Sequence, residues 1–340
     1  MSANEPSALQ QRVDALARRH LAATGPVADL QPLTAGANKG TWSFRAPLKA
    51  GRTDFILQRQ APSGAPDPDA GPDDWLPHLD GRQEFEVMLA AQAADVPVPQ
   101  VRHILGPEDG LGDGAVTERV DGETIPARVL RLPELAAARE RMAAQCGHVL
   151  AAIHRVPAQR LPFLQDFGAG ETLALFRRTL DSVALPLPAL ELALRWARER
   201  QPRGGRRTLV HGDFRTGNFI VGPEGIRAVL DWEIAHLGNP MEDLGYLCMR
   251  TWRFGGRGPV GGFGAREDLF AAYEQASGVA VDPQQVRFWE VAGAMRWALG
   301  CVRRAHAWRH QQERKLEFAA VGRRIEEPVY DLLDVIEGRD

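Results

Sequence analysis

The chain has 340 residues, 44% hydrophobic and 25% charged, with a formal charge of −3; this balance excludes disorder and fibrous classes and supports one large two-lobed domain or two smaller ones. A charge so near zero gives no basic field for nucleic acid or an anionic membrane, and no apolar run reaches the ~18 residues of a membrane span, which leaves a small molecule or a protein as the expected partner. The three cysteines, Cys146, Cys248 and Cys301, are odd in number and far apart, which fits neither a disulfide framework nor a metal-ligand spacing and points to a reducing cytoplasm.

The polar N-terminus lacks the pattern of a signal peptide. From about Ser7 to Ala23, Leu9, Val13, Leu16, Ala17 and Leu21 recur at helical spacing, and Gly25-Pro26 stops the helix. Short strand-like pieces follow between Leu30 and Gln60, "LQPL", "TWSFRA" and "DFILQRQ", with the small-residue turn "TAGANKG" after the first. They predict an antiparallel meander. Residues 61–74, rich in Pro, Gly and Asp, read as an exposed loop. A helix is expected over roughly 79–94, then strands in "VPVPQVRHIL" and "GAVTERV". Beyond Asp121-Gly122 the text turns helical, at about 133–155, 170–182, 187–200, 265–277, 283–309 and 311–336, interrupted only by strand-like pieces between Thr208 and Leu230.

That interruption carries the chemistry. "LVHGDFRTGN" puts Asp213 five residues before Asn218, and Asp231 stands thirteen beyond Asn218 with strand, turn and strand between. A hairpin returns its ends to one edge, so Asn218 and Asp231 are expected side by side. Two such oxygen ligands suit Mg²⁺, which completes its octahedron with phosphate and water. Asp213, in the preceding loop, is left to orient or deprotonate a hydroxyl. An Asp base, an Asn five residues on and a second metal-binding Asp is the layout of kinase phosphoryl transfer.

H-G-D-F-R-T-G-N followed by L-D-W-E resembles the aminoglycoside phosphotransferase and choline kinase family. The resemblance implies an α+β, bilobal protein-kinase-like fold, with a small antiparallel β N-lobe and a larger, mainly helical C-lobe. The divisions expected are an N-terminal helix (1–26), a nucleotide-binding lobe (27–117), a hinge (118–122) and a helical lobe (123–340). It implies ATP and Mg²⁺ as cofactors, Asp213 as catalytic base, Asn218 and Asp231 as metal ligands, Glu233 as an acidic neighbour and His211 as a brace. Arg215 either neutralises charge on the transferring phosphate or pairs with a nearby carboxylate. Asp243 caps a helix or orients the loop, and His154 closes a helix behind it.

By the same resemblance, "LTAGANKGTW" covers the phosphates with Gly36, Asn38, Gly40 and Thr41. A cation on the third strand should grip the α/β phosphates. Arg59 is expected there, sharing a strand face with Leu57 and pairing with Glu84, or failing that Glu86; a register one residue different puts Gln58 in its place. Hinge backbone near Glu118 and Val120 would meet adenine.

The Gly-rich 255–264 stretch reads as a mobile lid or a connector. Arg296, Arg303, Arg304 and Arg309 crowd one helix, which suits a polycationic aminoglycoside poorly. The resemblance to kinase-like domains associated with acyl-CoA dehydrogenases implies a hydroxyacyl acceptor. A degenerate nucleotide-binding regulatory module is the alternative of another class; a protein kinase lacks support, with no D-F-G or A-P-E. Oligomeric state stays open.

Overall fold

The computed structural model describes residues 5–33, 39–60, 76–183, 185–310, 312 and 316–339. The first lobe is built on five antiparallel strands, β1 (Ala28–Leu33), β2 (Lys39–Leu48), β3 (Gly51–Gln60), β4 (Val101–Ile104) and β5 (Gly114–Glu118), in the order β1-β2-β3-β5-β4. Alternation along the strands feeds both faces. Phe55 and Leu57 of β3 and Val116 of β5 pack against Val13, Leu16 and Ala17 of α1 (Glu5–His20). Ala115 and Val101 face the other way, into the core shared with Phe85 and Met88 of α2 (Gly81–Gln92). The N-terminal helix is therefore one wall of the first lobe's core. Helix α2 starts at Asp80, whose carboxylate accepts from the Arg82 and Gln83 amides at 2.9 and 2.7 Å while the Gln83 side chain accepts from the Asp80 amide at 3.1 Å, a reciprocal capping box.

The second lobe comprises helices α3 (Pro126–Val129), α4 (Ala136–Ile153), α5 (Ala169–Ser182), α6 (Pro188–Glu199), α7 (Met241–Cys248), α8 (Arg266–Ser277), α9 (Pro283–Arg309), α10 (Leu316–Gly322) and α11 (Glu326–Glu337). Helix α4 lies on α8 at backbone contact: a Cβ on Gly147 would stand 2.5 Å from the Leu269 carbonyl and 2.7 Å from the Tyr273 amide. Helix α9 is the axis of the lobe and buries Phe288, Trp289, Met295 and Leu299.

Four strands stand among the helices. β7 (Phe219–Gly222) and β8 (Gly225–Val229) form the expected hairpin, and β6 (Thr208–Val210) pairs with β9 (His236–Gly238). The sequence reading missed β9, a three-residue strand too short to show a period. It also ran one helix through 311–336. The chain breaks after Gly322 so that Phe318 and Leu332, on separate helices, are both buried. The 61–74 segment, Gly36 and Asn38 lie outside the described residues. No helix of the described residues is long and apolar enough to cross a membrane.

Candidate active site

Strand β6 delivers the loop His211–Arg215, and buried groups hold the loop's backbone. Gly212 has φ +80°, and a Cβ there would sit 2.9 Å from the Ile234 carbonyl, so both conformation and space demand glycine. The Asp243 carboxylate, on the first turn of α7, accepts from the His211 and Gly212 amides, each at 2.9 Å. It also lies 3.1 Å from His154 Nε2, whose Nδ1 is 3.0 Å from the Tyr273 hydroxyl. Burial would raise the Asp243 carboxyl, but the hydrogen bond and charge of His154 and the bond from His211 outweigh it and hold the pKa below the usual value. Burial pushes His211 below its ordinary value. The neutral ring fits its two contacts, donating from Nε2 to the Leu230 carbonyl at 3.1 Å and accepting at Nδ1 from the Asp213 amide at 3.2 Å.

At the tip, Asp213 is contacted by two donors. Arg215 Nε lies 3.0 and 3.1 Å from its two carboxylate oxygens, and Asn218 Nδ2 donates to it at 2.7 Å. Arg215 thus pairs with Asp213 itself, with its guanidinium 4.6 Å from the Trp252 ring centre. The Asn218 amide nitrogen also donates to the Asp213 carbonyl at 2.9 Å, which leaves its oxygen turned from Asp213. The hairpin closes as expected, Phe219 opposite Val229, and the Leu230 amide donates to the Asn218 carbonyl at 2.8 Å. Asp231 follows in the left-handed region, φ +69°, a conformation that Asp tolerates better than most residues. Burial lowers the Arg215 pKa, yet Asp213, Tyr246 and Asp231 outweigh it and raise it overall.

Arg59 shares the Leu57 face, as expected, but that is the face covered by α1. Its guanidinium lies 4.8 Å from the Trp42 ring centre, with Nη1 3.4 Å from the Leu111 carbonyl. Burial, and then the charge of Arg12, lower its pKa. Gln58 is the residue on the opposite face, paired with Thr41 and with Ala115, whose side chain belongs to the α2 core. Arg59 and Glu84 are therefore on opposite sides of the sheet. Glu84 is buried in α2, whereas Glu86 is on the surface, paired with Arg82 at 2.9 Å. Thr41 adjoins Gln58 across β2 and β3. At the hinge the Glu118 amide is taken by the Gln100 carbonyl at 2.9 Å and its carboxylate by Arg102; Val120 lies two residues on, half-buried.

The Gly-rich 255–264 stretch is fastened to the Asp213 loop rather than hung over it. Thr216 Oγ1 donates to the Gly261 carbonyl at 2.8 Å, the Gly261 amide to Leu247 at 3.1 Å, and Val260 is fully buried. Arg296 was legible only as one of several cations on its helix. It is half-buried, donates to the Gly212 carbonyl at 2.6 Å, stacks 4.1 Å from the Tyr246 ring centre and approaches Glu242 at 3.7 Å. Beside it Phe167, Phe176, Trp289, Tyr246, Glu242 and Arg296 enclose a cavity of about 10 Å³, room for a single water.

Glu242 also lies 3.3 Å from His236 Nε2. Burial lowers the His236 pKa, but Glu242 overrides it and leaves the value raised. A raised folded pKa stabilises fully below the unfolded value of about 6.5 and loses that contribution as pH rises through the folded value. Urea midpoints of the wild type should therefore fall between neutral and alkaline pH by more than those of His236→Gln. Parallel profiles would refute the coupling.

A five-stranded antiparallel lobe beside a helical lobe, with Asp213, Asn218 and Asp231 gathered at one loop and one hairpin mouth, defines a bilobal protein-kinase-like phosphotransferase fold. Residues 29–289 match the phosphotransferase enzyme family, and the chain belongs to it. As a member it is a phosphotransferase enzyme. It is 31% identical over 256 residues to acyl-CoA dehydrogenase family member 10 of Mus musculus, covering 71% of this chain and 22% of that protein. It is 30% identical over 179 residues to family member 11 of Homo sapiens, covering 49% and 22%. The matches thus span about a fifth of those curated relatives' length. Among solved structures, a candidate aminoglycoside phosphotransferase of Ralstonia eutropha superposes with a TM-score of 0.71 at 20% identity, covering 96% of this chain and 98% of that one. Spectinomycin phosphotransferase in complex with ADP and spectinomycin superposes with 0.63 at 13%, again covering 96% and 98%. At such identities the likeness shows the fold.

Proposed function

We propose that this chain is an ATP- and Mg²⁺-dependent small-molecule kinase transferring the γ-phosphoryl group to a hydroxyl. The observation that carries the reading is the Asp213–Asn218 contact at the mouth of the hairpin that ends in Asp231. In this reading Asp213 accepts the hydroxyl proton as the oxygen attacks phosphorus and ADP leaves. The donor set fits magnesium: Asn218 has its oxygen available once its nitrogen is committed to Asp213, and Asp231 adds a carboxylate. Bound there, the ion would neutralise phosphate charge. Arg215, held beside Asp213 by Trp252, adds a second positive charge near the reacting group. Thr41 and the 34–38 turn, with Gly36 and Asn38, would cover the phosphates, and Val120 would meet adenine. The 1–26 and 118–122 boundaries enter the reading as one nucleotide lobe walled by α1 and a hinge beyond Glu118.

The cations Arg296, Arg303, Arg304 and Arg309 of α9 support a hydroxylated acceptor such as a hydroxyacyl compound over a polycationic aminoglycoside, which calls for an acidic cleft. The names of the curated relatives favour the first acceptor; that of the Ralstonia protein favours the second. ATP consumption measured against hydroxyacyl-CoAs, sugars, amino alcohols and aminoglycosides tests the choice. Turnover with aminoglycosides alone would overturn the hydroxyacyl reading, and none with any acceptor the kinase reading.

Gln58 favours a second reading. A neutral amide, on the Ala115 face of β3, stands where the strand cation of a kinase is expected, as in a nucleotide-binding regulatory module that no longer transfers phosphate. Calorimetric titration with ATP and Mg²⁺ beside a transfer assay separates the two. If Gln58 is the weak point of the grip, Gln58→Lys should raise kcat/KM for ATP about tenfold, the value of one charge-assisted hydrogen bond. An unchanged or lower kcat/KM would mean that another group holds those phosphates.

A further inference from the structure

A second cluster of metal-ligating side chains lies in the first lobe, on the α1 face of the sheet and away from the Asp213 loop. It joins His20, the last residue of α1, His103 of β4 and Asp109 in the turn before β5. The Asp109 side chain is wholly buried. One of its oxygens is satisfied, accepting from the Gly106 amide at 2.9 Å and lying 2.8 Å from His103 Nε2. The other, Oδ1, is buried without a hydrogen-bond partner, and so is His20 Nε2, 3.6 Å away. The rings of His20 and His103 stack at 3.6 Å, and one ligand atom from each of the three residues lies within 4.8 Å of the others.

Two shielded polar atoms facing each other without a hydrogen bond are costly unless something bridges them. Their separation suits a metal ion: at about 2.0–2.1 Å from each, an ion would subtend about 120°, close to the tetrahedral range. His103 needs its ring turned out of the stack to bring Nε2 onto the same ion. Two imidazoles and one carboxylate select zinc and its borderline neighbours, whereas magnesium prefers oxygen throughout.

We propose that His20, His103 and Asp109 form a structural site for a zinc-class divalent ion, separate from the magnesium site of the kinase reading and independent of it. Such an ion ties the C-terminus of α1 to β4 and to the turn leading into β5. The helix it fastens supplies Val13, Leu16 and Ala17 to the first lobe's core. Arg19 Nη1, 3.7 Å from Asp109, is the competing cation, and its half-exposed side chain can leave for solvent.

The test uses the full chain, without a histidine tag, stripped by a chelator and titrated with Co²⁺ and Zn²⁺. The expected result is one equivalent bound, visible absorption bands of four-coordinate Co²⁺ that Zn²⁺ bleaches, and a melting temperature raised by about 4 °C at a hundredfold excess over Kd. His20→Ala and His103→Ala should each lose the bands and the shift. His306→Ala/His310→Ala, which removes the neighbouring imidazole pair at the end of α9, should retain both, as should Asp231→Ala. No stoichiometric binding, or binding that survives both single variants, would overturn the site and leave a water or a protonated imidazole as the bridge. If the single variants do not fold, retention of the Co²⁺ bands in His20→Gln gives the same refutation.

Discussion

Asp213→Asn is expected to lower kcat by about 10²–10⁴-fold, the usual worth of a positioned general base, with KM for ATP little changed. The carboxylate is held by donors on both sides, Arg215 Nε at 3.0 Å and Asn218 Nδ2 at 2.7 Å. An asparagine fits the same space and can accept one of those bonds, but it cannot take a proton from an attacking hydroxyl. The loop's backbone is fastened at His211 and Gly212, outside the substituted side chain, so the loss is one of chemistry and not of folding. ADP release with the acceptor found by screening, paired with calorimetric ATP binding, measures both parts. Turnover within tenfold of wild type would remove Asp213 from the base role and the kinase mechanism with it.

The second large effect is expected at Asp243, 32 residues along the chain from His211 yet bonded to its amide. Asp243→Ala leaves the His211 and Gly212 amides and His154 Nε2 without their acceptor in a fully buried site. Breaking a buried charged network on one side costs about 3–5 kcal/mol, so the urea midpoint should fall steeply. A loop displaced by as little as 1 Å loses about 10²-fold in rate, so activity should fall even where the variant stays folded. Asp243→Asn retains one accepting oxygen and should fall between.

The pH dependence supplies an independent check. A carboxyl whose folded pKa is depressed contributes stability that is complete above its unfolded value, about 3.8, and is lost as pH falls through the folded value. The wild type should therefore lose stability below about pH 4 more steeply than Asp243→Asn. Equal acid slopes, or an alanine variant as stable as wild type, would show that the loop is braced from elsewhere.

Asn218 and Asp231 could be placed together from the sequence because a tight hairpin is a local object: twelve intervening residues, a turn and a two-residue period suffice to return the chain to its starting edge. Gly212 and Asp213 were legible for a similar reason, since loop chemistry is written in neighbouring residues. The Gly-rich 255–264 stretch could be read as lid or connector because composition reports what a segment lacks, not what it lies against; Thr216 and Leu247 fasten it from elsewhere in the chain.

The Arg59 error has a different origin. Alternation correctly put Arg59 with Leu57 on one face and Gln58 on the other, but it could not say which face meets the cleft. An apolar residue on a strand normally marks the interior, and here both faces are interior, one against α1 and one against α2. The sign of the alternation was set by helix docking, which strand pattern does not encode.

By itself the sequence determined the class of fold, most of its elements and the hairpin that brings Asn218 and Asp231 to one edge beside Asp213, because periodicity, turn chemistry and short hairpins act over a few residues. The tertiary structure alone decided that Gln58 and not Arg59 lies on the α2 face of the sheet, that Asp243 and Arg296 clamp the Asp213 loop, and that His20, His103 and Asp109 converge. Each of those depends on which surfaces pack together, and packing is settled by apolar burial summed over the whole chain.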